Sequence, residues 1–300
     1  MRALVISGGG SKGAFAGGVA QYLIQQLKYD YDIFIGTSTG SLLISHMALG
    51  KVEKIKQIYT SVNQSSIFSI RPFLIKQKHG HQNISINHLN VIRNFLRGSK
   101  TFGESHNLKT LISETFTKAE FEALKATDKD IVVTVSNLSL NEVEYKSIRD
   151  YDYEDFIEWI WISCNYTPFM SLVKKNGCEY ADGGLGSMVP IEEAVKRGAT
   201  EVDAIILQTE VTHFNRLPSK NAFSLITNLF AFMLDRIENQ NIRIGKFAAA
   251  NNDAILNFYY TPSVLTTNSL IFDKEKMTAW WESGFEFAKN QNKELNQIEP

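Results

Sequence analysis

The sequence predicts an α/β fold, a three-layer α/β/α sandwich around a mostly parallel central sheet, with a helical cap or insert and a helical C-terminal region. Two observations carry this prediction. Short, entirely apolar segments alternate with helix-like segments along the first 50 residues, and the same alternation returns after residue 130. Strands that are apolar on both faces are typical of a parallel sheet covered by helices on both sides.

The first 50 residues contain two strand–helix units. A strand is predicted at Ala3–Ser7, and a helix follows over Ala14–Lys28, where apolar residues recur at helical spacing. A second apolar strand, Ile33–Ile35, precedes a helix at Leu42–Leu49. Each strand is joined to its helix by a glycine-rich turn.

The remaining chain divides into a core, an insert and an extension. Further strands are predicted at Ile131–Val135, Cys178–Ala181, Val202–Leu207 and Ala254–Tyr260, and further helices at Phe156–Ile162 and Ile191–Arg197. Residues 60–127, rich in Ser, Asn and Lys, predict a variable insert rather than sheet, with helical patches at Leu89–Leu96 and Leu108–Phe116. We expect a core of residues 1–211 that carries this insert, and a mostly helical extension, 212–300, packed on it.

Composition excludes several classes of protein. Hydrophobic residues at 44% and charged residues at 21% are typical of a folded globular chain. A net charge of −1 disfavours a nucleic-acid-binding surface. The chain has no apolar run long enough for a spanning helix or a secretory signal, and its two cysteines lack metal-ligand spacing. These features predict a cytoplasmic protein with two buried thiols and no metal bound by its cysteines.

The first glycine motif, Gly8-Gly9-Gly10-Ser11-Lys12-Gly13, lies between a strand and a helix. Its backbone N–H groups can approach negative charge closely at the N-terminus of the helix. The string also matches a dinucleotide-binding pattern, but Asp32 precedes the second strand, whereas a ribose-binding acid would follow it. Nor does Lys12 occupy the position that a phosphate-binding P-loop requires. A nucleotide site is therefore disfavoured.

The second motif, Gly36-Thr37-Ser38-Thr39-Gly40, joins the second strand to a helix. A tight turn in this context presents the serine hydroxyl at the end of the sheet, as in a nucleophile elbow. An ordinary strand-to-helix turn is the alternative interpretation. The third motif, Asp182-Gly183-Gly184, follows a short strand and would direct a carboxylate into the same cleft. Its alternative is a simple Asp-Gly turn.

Histidine placement favours Asp182 as the base that activates Ser38. Only His213 follows Asp182, and His46 lies about two helical turns beyond Ser38. The other four histidines, His79, His81, His88 and His106, fall in the insert. We therefore predict a Ser–Asp dyad, with the pKa of Asp182 raised by burial. Such a base suits esters better than amides, because an alkoxide leaving group needs less assistance from an acid.

Together, the three motifs in this order resemble the patatin-like phospholipase family. The resemblance covers about 1–60 and 130–210, and Lys12 stands where arginine is commonest. It implies lipid acyl hydrolysis through an acyl-enzyme, without metal or cofactor. Ser38 would be the nucleophile, Asp182 the general base, and Gly9 and Gly10 the oxyanion hole. The motif residues expected to support them are Gly8, Lys12, Gly13, Gly36, Gly40, Gly183 and Gly184.

Two other functions stay open on the sequence. One is a general carboxylesterase or thioesterase that acts on soluble esters. The other is a non-catalytic module of the same fold that binds lipid or nucleotide.

A lipid hydrolase must reach a lipid surface, and two segments are candidates. The segment 54–100 has no acidic residue and eight cations: Lys54, Lys56, Arg71, Lys76, Lys78, Arg93, Arg97 and Lys100. We expect it to contact anionic membrane, an ordinary solvated insertion being the alternative. The apolar segment Ala222–Leu234 predicts either a buried core helix or a lid or acyl-chain wall beside Ser38.

Overall fold

The computed structural model describes residues 1–78, 81–211, 218, 219 and 222–298. The strands in these ranges are β1 (Arg2–Ile6), β2 (Ile33–Thr37), β3 (Phe73–Lys78), β4 (His81–Ile86), β5 (Asp130–Asn137), β6 (Glu142–Ser147), β7 (Val173–Lys175), β8 (Cys178–Asp182), β9 (Glu201–Ile206) and β10 (Ile255–Tyr260). The helices are α1 (Gly13–Gln21), α2 (Thr39–Ala48), α3 (Val52–Ser61), α4 (Gln64–Ile67), α5 (His88–Leu96), α6 (His106–Thr115), α7 (Lys118–Lys125), α8 (Tyr153–Ser163), α9 (Ile191–Lys196), α10 (Ala222–Asn251) and α11 (Lys274–Ile298).

Eight of these strands form the central sheet, in the order β10-β9-β1-β2-β5-β8-β7, with β6 also paired to β5. The strands from β10 to β5 run parallel to one another, and β6, β7 and β8 add antiparallel pairs. The predicted α/β fold with a mostly parallel sheet is confirmed. The strands β6 and β7 were not predicted.

Alternating side chains of β1 explain the three layers. Leu4 and Ile6 pack into one apolar core, which includes α1, α2 and α8. Ala3 and Val5 pack into a second core on the opposite face, with side chains of α9 and α10. Because successive residues of a strand point to opposite faces, a fully apolar strand fills both cores.

The C-terminal region is bound into this framework. The strand β10 pairs with β9 at the edge of the central sheet, so residues 255–260 complete the sheet. Helix α11 packs along α1, where the side chain of Trp281 lies directly over Gly17. The Trp281 indole N–H also donates to Gln21. The predicted helical C-terminus is therefore present, and it adds a strand to the sheet.

The described part of residues 60–127 differs from the prediction that it contains no sheet. The strands β3 and β4 pair as an antiparallel hairpin that is separate from the central sheet. The predicted helical patches correspond to α5 and α6, and Leu108 of α6 and Phe121 of α7 are buried in the main core. The domain boundaries at 211 and 212 stay a prediction.

Among the described residues, no helix has both the length and the apolar character needed to cross a membrane.

Candidate active site

Ser38 occupies a strained turn between β2 and α2. Its backbone has φ 53° and ψ −119°, a conformation that side-chain-bearing residues rarely adopt and that marks functional turns. Glycines two residues away on each side make the turn possible. A Cβ on Gly36 would lie 2.4 Å from the backbone of Gly40, and one on Gly40 would lie 2.2 Å from the carbonyl oxygen of Ile6. The sequence motif is therefore a steric requirement of the turn.

The sheet brings Asp182 to Ser38 by an arrangement that the motifs did not reveal. On β5, Thr134 pairs with Thr37 of β2, and the next residue, Val135, pairs with Asp182 of β8. The opposite edge of β5 is occupied by β6, so β2 and β8 share one edge and meet end to end. Because β8 runs antiparallel to β5, Asp182 reaches the end of β2 from the opposite direction.

Ser38 and Asp182 are joined by a direct hydrogen bond. The Ser38 hydroxyl donates to Asp182 Oδ2 at 2.7 Å, and the backbone N–H of Gly184 donates to Oδ1 at 2.8 Å. Asp182 is only 4% exposed. Burial raises the pKa of Asp182 to about 7, and the hydrogen bonds from Ser38 and Gly184 oppose this shift. A carboxyl group with this pKa can exchange a proton near neutral pH.

The backbone around Ser38 is fixed by residues at the end of α8. Ser163 Oγ accepts from the Ser38 N–H at 3.0 Å, and the Cys164 thiol donates to the Ser38 carbonyl at 3.1 Å. Burial raises the pKa of Cys164 well above its ordinary value, so this thiol stays protonated. Asn165 follows, and its carbonyl accepts from the Asp182 N–H. Sequence reasoning assigned no such role to Ser163 or Cys164.

Gly9 and Gly10 line the cavity beside Ser38 and Asp182. In the described part of the chain, the backbone N–H groups of these two glycines take part in no hydrogen bond. Gly10 has φ 55°, a left-handed conformation that glycine adopts without strain. Free N–H donors of this kind are what an oxyanion hole requires.

The peptide unit between Gly10 and Ser11 is held at both ends. Its carbonyl accepts a 2.6 Å hydrogen bond from the hydroxyl of Tyr59 in α3. Its N–H donates a 2.8 Å hydrogen bond to the carbonyl of Ser269. Tyr59 also hydrogen-bonds Thr39, the residue after Ser38. Tyr59 and Ser269 were missed by sequence reasoning, because they lie far from the motifs along the chain.

Lys12 ties the same loop to the end of β9. Its ammonium group donates to the carbonyl of Leu207, and burial lowers the pKa of Lys12 while nearby Glu238 and Asp235 raise it. Glu238 is buried in α10. Burial raises the pKa of Glu238 to about 8, against the opposing effect of Lys12. These two acidic residues also come from outside the predicted motifs.

The remaining motif glycines make close backbone contacts around the site. A Cβ on Gly8 or Gly184 would meet Met188, one on Gly13 would meet Thr39 and Tyr59, and one on Gly183 would meet the Thr134 carbonyl.

None of His46, His88 and His106 hydrogen-bonds Ser38 or Asp182. His46 Nε2 pairs with the carbonyl of Thr115, its ring packs against Phe116, and burial lowers the pKa of His46. His213 and His79, two of the histidines considered above, lie outside the described residues. Within those residues, no cluster of three metal-ligating side chains is present.

A cavity of about 1520 Å³ contains the site, and its two walls differ in character. The wall built by residues before 171 is mainly apolar, formed by Leu42, Ile55, Ile58, Ile67, Phe73, Phe102, Leu108, Leu111, Ile112, Phe116, Ile160 and Phe169. The wall built by residues after 207 is more polar, with Gln208, Thr209, Thr227, Asn228, Asp235, Glu238, Thr261, Thr266, Thr267, Asn268 and Ser269, but it also includes the apolar residues Ile226, Ala231, Leu234, Val264, Leu265, Leu270 and Phe272. Ser38 and the glycine loop complete the lining.

Comparison with known proteins agrees with the fold. The family model described as Patatin-like phospholipase matches residues 4–195. Among solved structures, VipD from Legionella pneumophila superposes with a TM-score of 0.51 at 13% sequence identity. The match covers 96% of this chain and 66% of the VipD chain, and at this identity it shows a shared fold alone. No curated protein matches the sequence.

Proposed function

The chain belongs to the patatin-like phospholipase family, and we propose that it is a serine lipid acyl hydrolase of the phospholipase A or lysophospholipase type. Ser38 is the proposed nucleophile and Asp182 the proposed general base. Gly9 and Gly10 would supply the oxyanion hole. The 2.7 Å hydrogen bond between the two side chains supports this assignment.

The proposed reaction proceeds in two steps. Asp182 takes the proton of Ser38 as the serine oxygen attacks the ester carbonyl, and the negative oxygen that forms is stabilised by N–H groups of Gly9 and Gly10. When the ester bond breaks, Asp182 returns the proton to the alcohol that leaves. Water then attacks the acyl-enzyme with the same proton transfers, which release the fatty acid and restore Ser38.

The two-sided cavity is the observation that favours a lipid over a small soluble ester. An acyl chain would lie along the apolar wall, and the polar part of the lipid would face the polar wall. The ester between these parts would then lie near Ser38, which lines the same cavity. A small soluble ester would leave most of a 1520 Å³ cavity without contacts.

Peripheral contact with anionic membrane through the basic 54–100 segment remains part of the proposal. Two of its cations are engaged within the protein, because Lys54 pairs with Glu120 and Lys100 pairs with Glu179. Arg71, Arg93 and Arg97 are exposed and form no ion pair within the described residues. These arginines are the better candidates for contact with lipid phosphate.

Labelling with a fluorophosphonate probe tests the proposed nucleophile. We expect the wild type to be labelled, Ser38→Ala to be unlabelled, and Asp182→Asn to be labelled far more slowly. Ser113→Ala is the matched control, since this serine is only half-buried and lies outside the cavity. Labelling that persists in Ser38→Ala would refute the assignment.

Hydrolysis of phospholipid and of a short soluble ester by the same preparations tests the substrate class. The proposal expects a clear preference for phospholipid, measured as kcat/KM. A preference for the short ester would instead support the general esterase. Labelling without hydrolysis of either substrate would also contradict a lipid hydrolase.

A further inference from the structure

Helix α10 carries apolar side chains on a face that the fold leaves exposed. Leu225, Leu229, Phe232 and Met233 follow helical spacing and are each about half exposed. The cavity-lining residues of α10, among them Ala231 and Leu234, occupy a different face. The expectation that Ala222–Leu234 is a buried core helix is thus wrong, whereas these lining residues support the alternative of a cavity wall. The segment is apolar nearly all round because one face lines the cavity and another is exposed.

Helix α5 shows the same feature in a stronger form. Leu89 and Leu96 are 82% and 84% exposed, and Ile92 between them is more than half exposed. These three residues lie one helical turn apart on a single face. Because the apolar side chains on this face of the nine-residue helix stay exposed to water, they add little to the stability of the fold. Such a face is suited to contact with an apolar surface outside the protein.

The two helices border the same cavity and are connected by aromatic side chains. Phe95 of α5 contacts Phe102, which contacts Phe169, which contacts Phe230 of α10, with ring centroids 6.0, 5.7 and 6.2 Å apart. His88 at the start of α5 lines the cavity, as do residues of α10. The exposed apolar faces therefore lie at the border of the proposed lipid site.

Charge favours a lipid bilayer over a protein as the occupant of this surface. Arg93 lies on α5 among its exposed apolar residues, and Arg97 directly follows the helix. Arg71 is exposed nearby, where Asn90 of α5 donates to its carbonyl. No acidic residue occurs between Glu53 and Glu104. An apolar face flanked by cations matches a bilayer, whose acyl interior lies beneath a layer of phosphate groups.

We propose that the exposed faces of α5 and α10 insert together into the membrane surface, so that a phospholipid passes from the bilayer directly into the cavity. The membrane-inserting surface comprises Leu89, Ile92, Leu96, Leu225, Leu229, Phe232 and Met233. This inference rests on the proposed function, since it assigns that site a membrane-resident substrate. Contact by charge alone would not require apolar side chains around the cavity.

Vesicle binding tests the proposal in the Ser38→Ala background, where lipid cannot be consumed. Two double variants, Leu89→Ser with Leu96→Ser and Leu225→Ser with Leu229→Ser, should each weaken binding at least tenfold. The loss should appear both on phosphatidylcholine vesicles and on mixed phosphatidylcholine–phosphatidylglycerol vesicles. Arg93→Gln with Arg97→Gln should weaken binding only to the mixed vesicles. Leu138→Ser with Leu140→Ser is the matched control, because these residues are similarly exposed but lie outside the cavity.

The same substitutions in the active protein separate this proposal from the proposed function. Hydrolysis of a soluble short ester should stay unchanged, while hydrolysis of vesicle phospholipid should fall with binding. Wild-type binding by both apolar variants would overturn the inference and leave the proposed function intact. The inference would also be overturned if the wild type formed a dimer that these substitutions dissociate, since the surface would then bind a second copy of the chain. Absence of phospholipid hydrolysis by the wild-type protein, with vesicle binding that still depends on these apolar residues, would count only against the proposed function.

Discussion

The hydroxyl of Tyr59 lies 2.6 Å from the carbonyl oxygen of Gly10 and donates a hydrogen bond to it. This contact orients the peptide that follows one of the two proposed oxyanion donors. Burial raises the pKa of Tyr59, so the hydroxyl keeps its proton and remains a donor. A helix outside the three motifs thus controls the geometry of the glycine loop.

Replacing Tyr59 with Phe should therefore slow catalysis more than it weakens substrate binding. We expect kcat to fall about tenfold, which corresponds to loss of one well-placed hydrogen bond, with KM nearly unchanged. Tyr153→Phe is the control, because its hydroxyl also bonds backbone carbonyls but lies away from the site. Steady-state kinetics on a soluble ester would measure kcat and KM for both variants. Equal effects of the two variants on kcat would show that Tyr59 acts only on stability.

The pH dependence of activity should report the ionisation of Asp182. The base must be deprotonated to accept the serine proton, and its pKa is raised to about 7. Below this pH, kcat/KM should fall about tenfold per unit, and above it the rate should level off. A profile already flat at pH 5 would contradict this role for Asp182.

Because of Asp182, the free energy of unfolding should change with pH in the opposite direction to activity. Its pKa rises from 3.8 to about 7 on folding, so between these pH values the folded state binds more protons than the unfolded state. The free energy of unfolding should therefore decrease as pH rises through this window, by an amount on the order of 4 kcal/mol. Asp182→Asn should lose this dependence and gain stability relative to the wild type between pH 4 and pH 8, as measured by urea unfolding. An unchanged stability difference across this range would contradict the prediction.

Adding a methyl group at Gly40 should disrupt the elbow. The new Cβ would lie 2.2 Å from the Ile6 carbonyl oxygen, in the centre of the sheet, so we expect Gly40→Ala to cost about 3 kcal/mol or more. Gly50→Ala is the matched control, since its φ is 68° but nothing lies within 4 Å of the added carbon. It should cost only about 1–2 kcal/mol from backbone strain. If both variants lost the same free energy of unfolding in urea, backbone strain rather than steric clash of the added carbon would explain both losses.

The sequence predicted the parallel part of the sheet and the residues that meet at the site, because both depend on local patterns. Apolar runs identified β1 and β2, and steric needs of a tight turn identified Gly36 and Gly40. The partners of these residues could not be predicted in the same way. Tyr59 and Ser269 contact the glycine loop only after the chain has folded, and neither belongs to a local pattern.

Two further differences have physical causes. The hairpin of β3 and β4 was not predicted, because its residues lack a clear alternation of apolar and polar side chains. Helix α10 was open to interpretation as core because hydrophobicity alone does not distinguish burial in protein from an exposed apolar face. The helical spacing of its apolar residues would have separated the cavity-lining face from the exposed face only if the position of the cavity had been known.

The hydrogen bond from Ser11 to the Ser269 carbonyl makes the proposed catalytic loop depend on a residue that follows β10 in the sequence. A nascent polypeptide acquires Ser38 and Asp182 long before it acquires Ser269. Until then, the peptide next to Gly10 is held only by Tyr59, and the polar wall of the cavity is incomplete. Both anchors of the glycine loop are therefore present only after the segment that contains Ser269 has been made, later than either proposed catalytic residue.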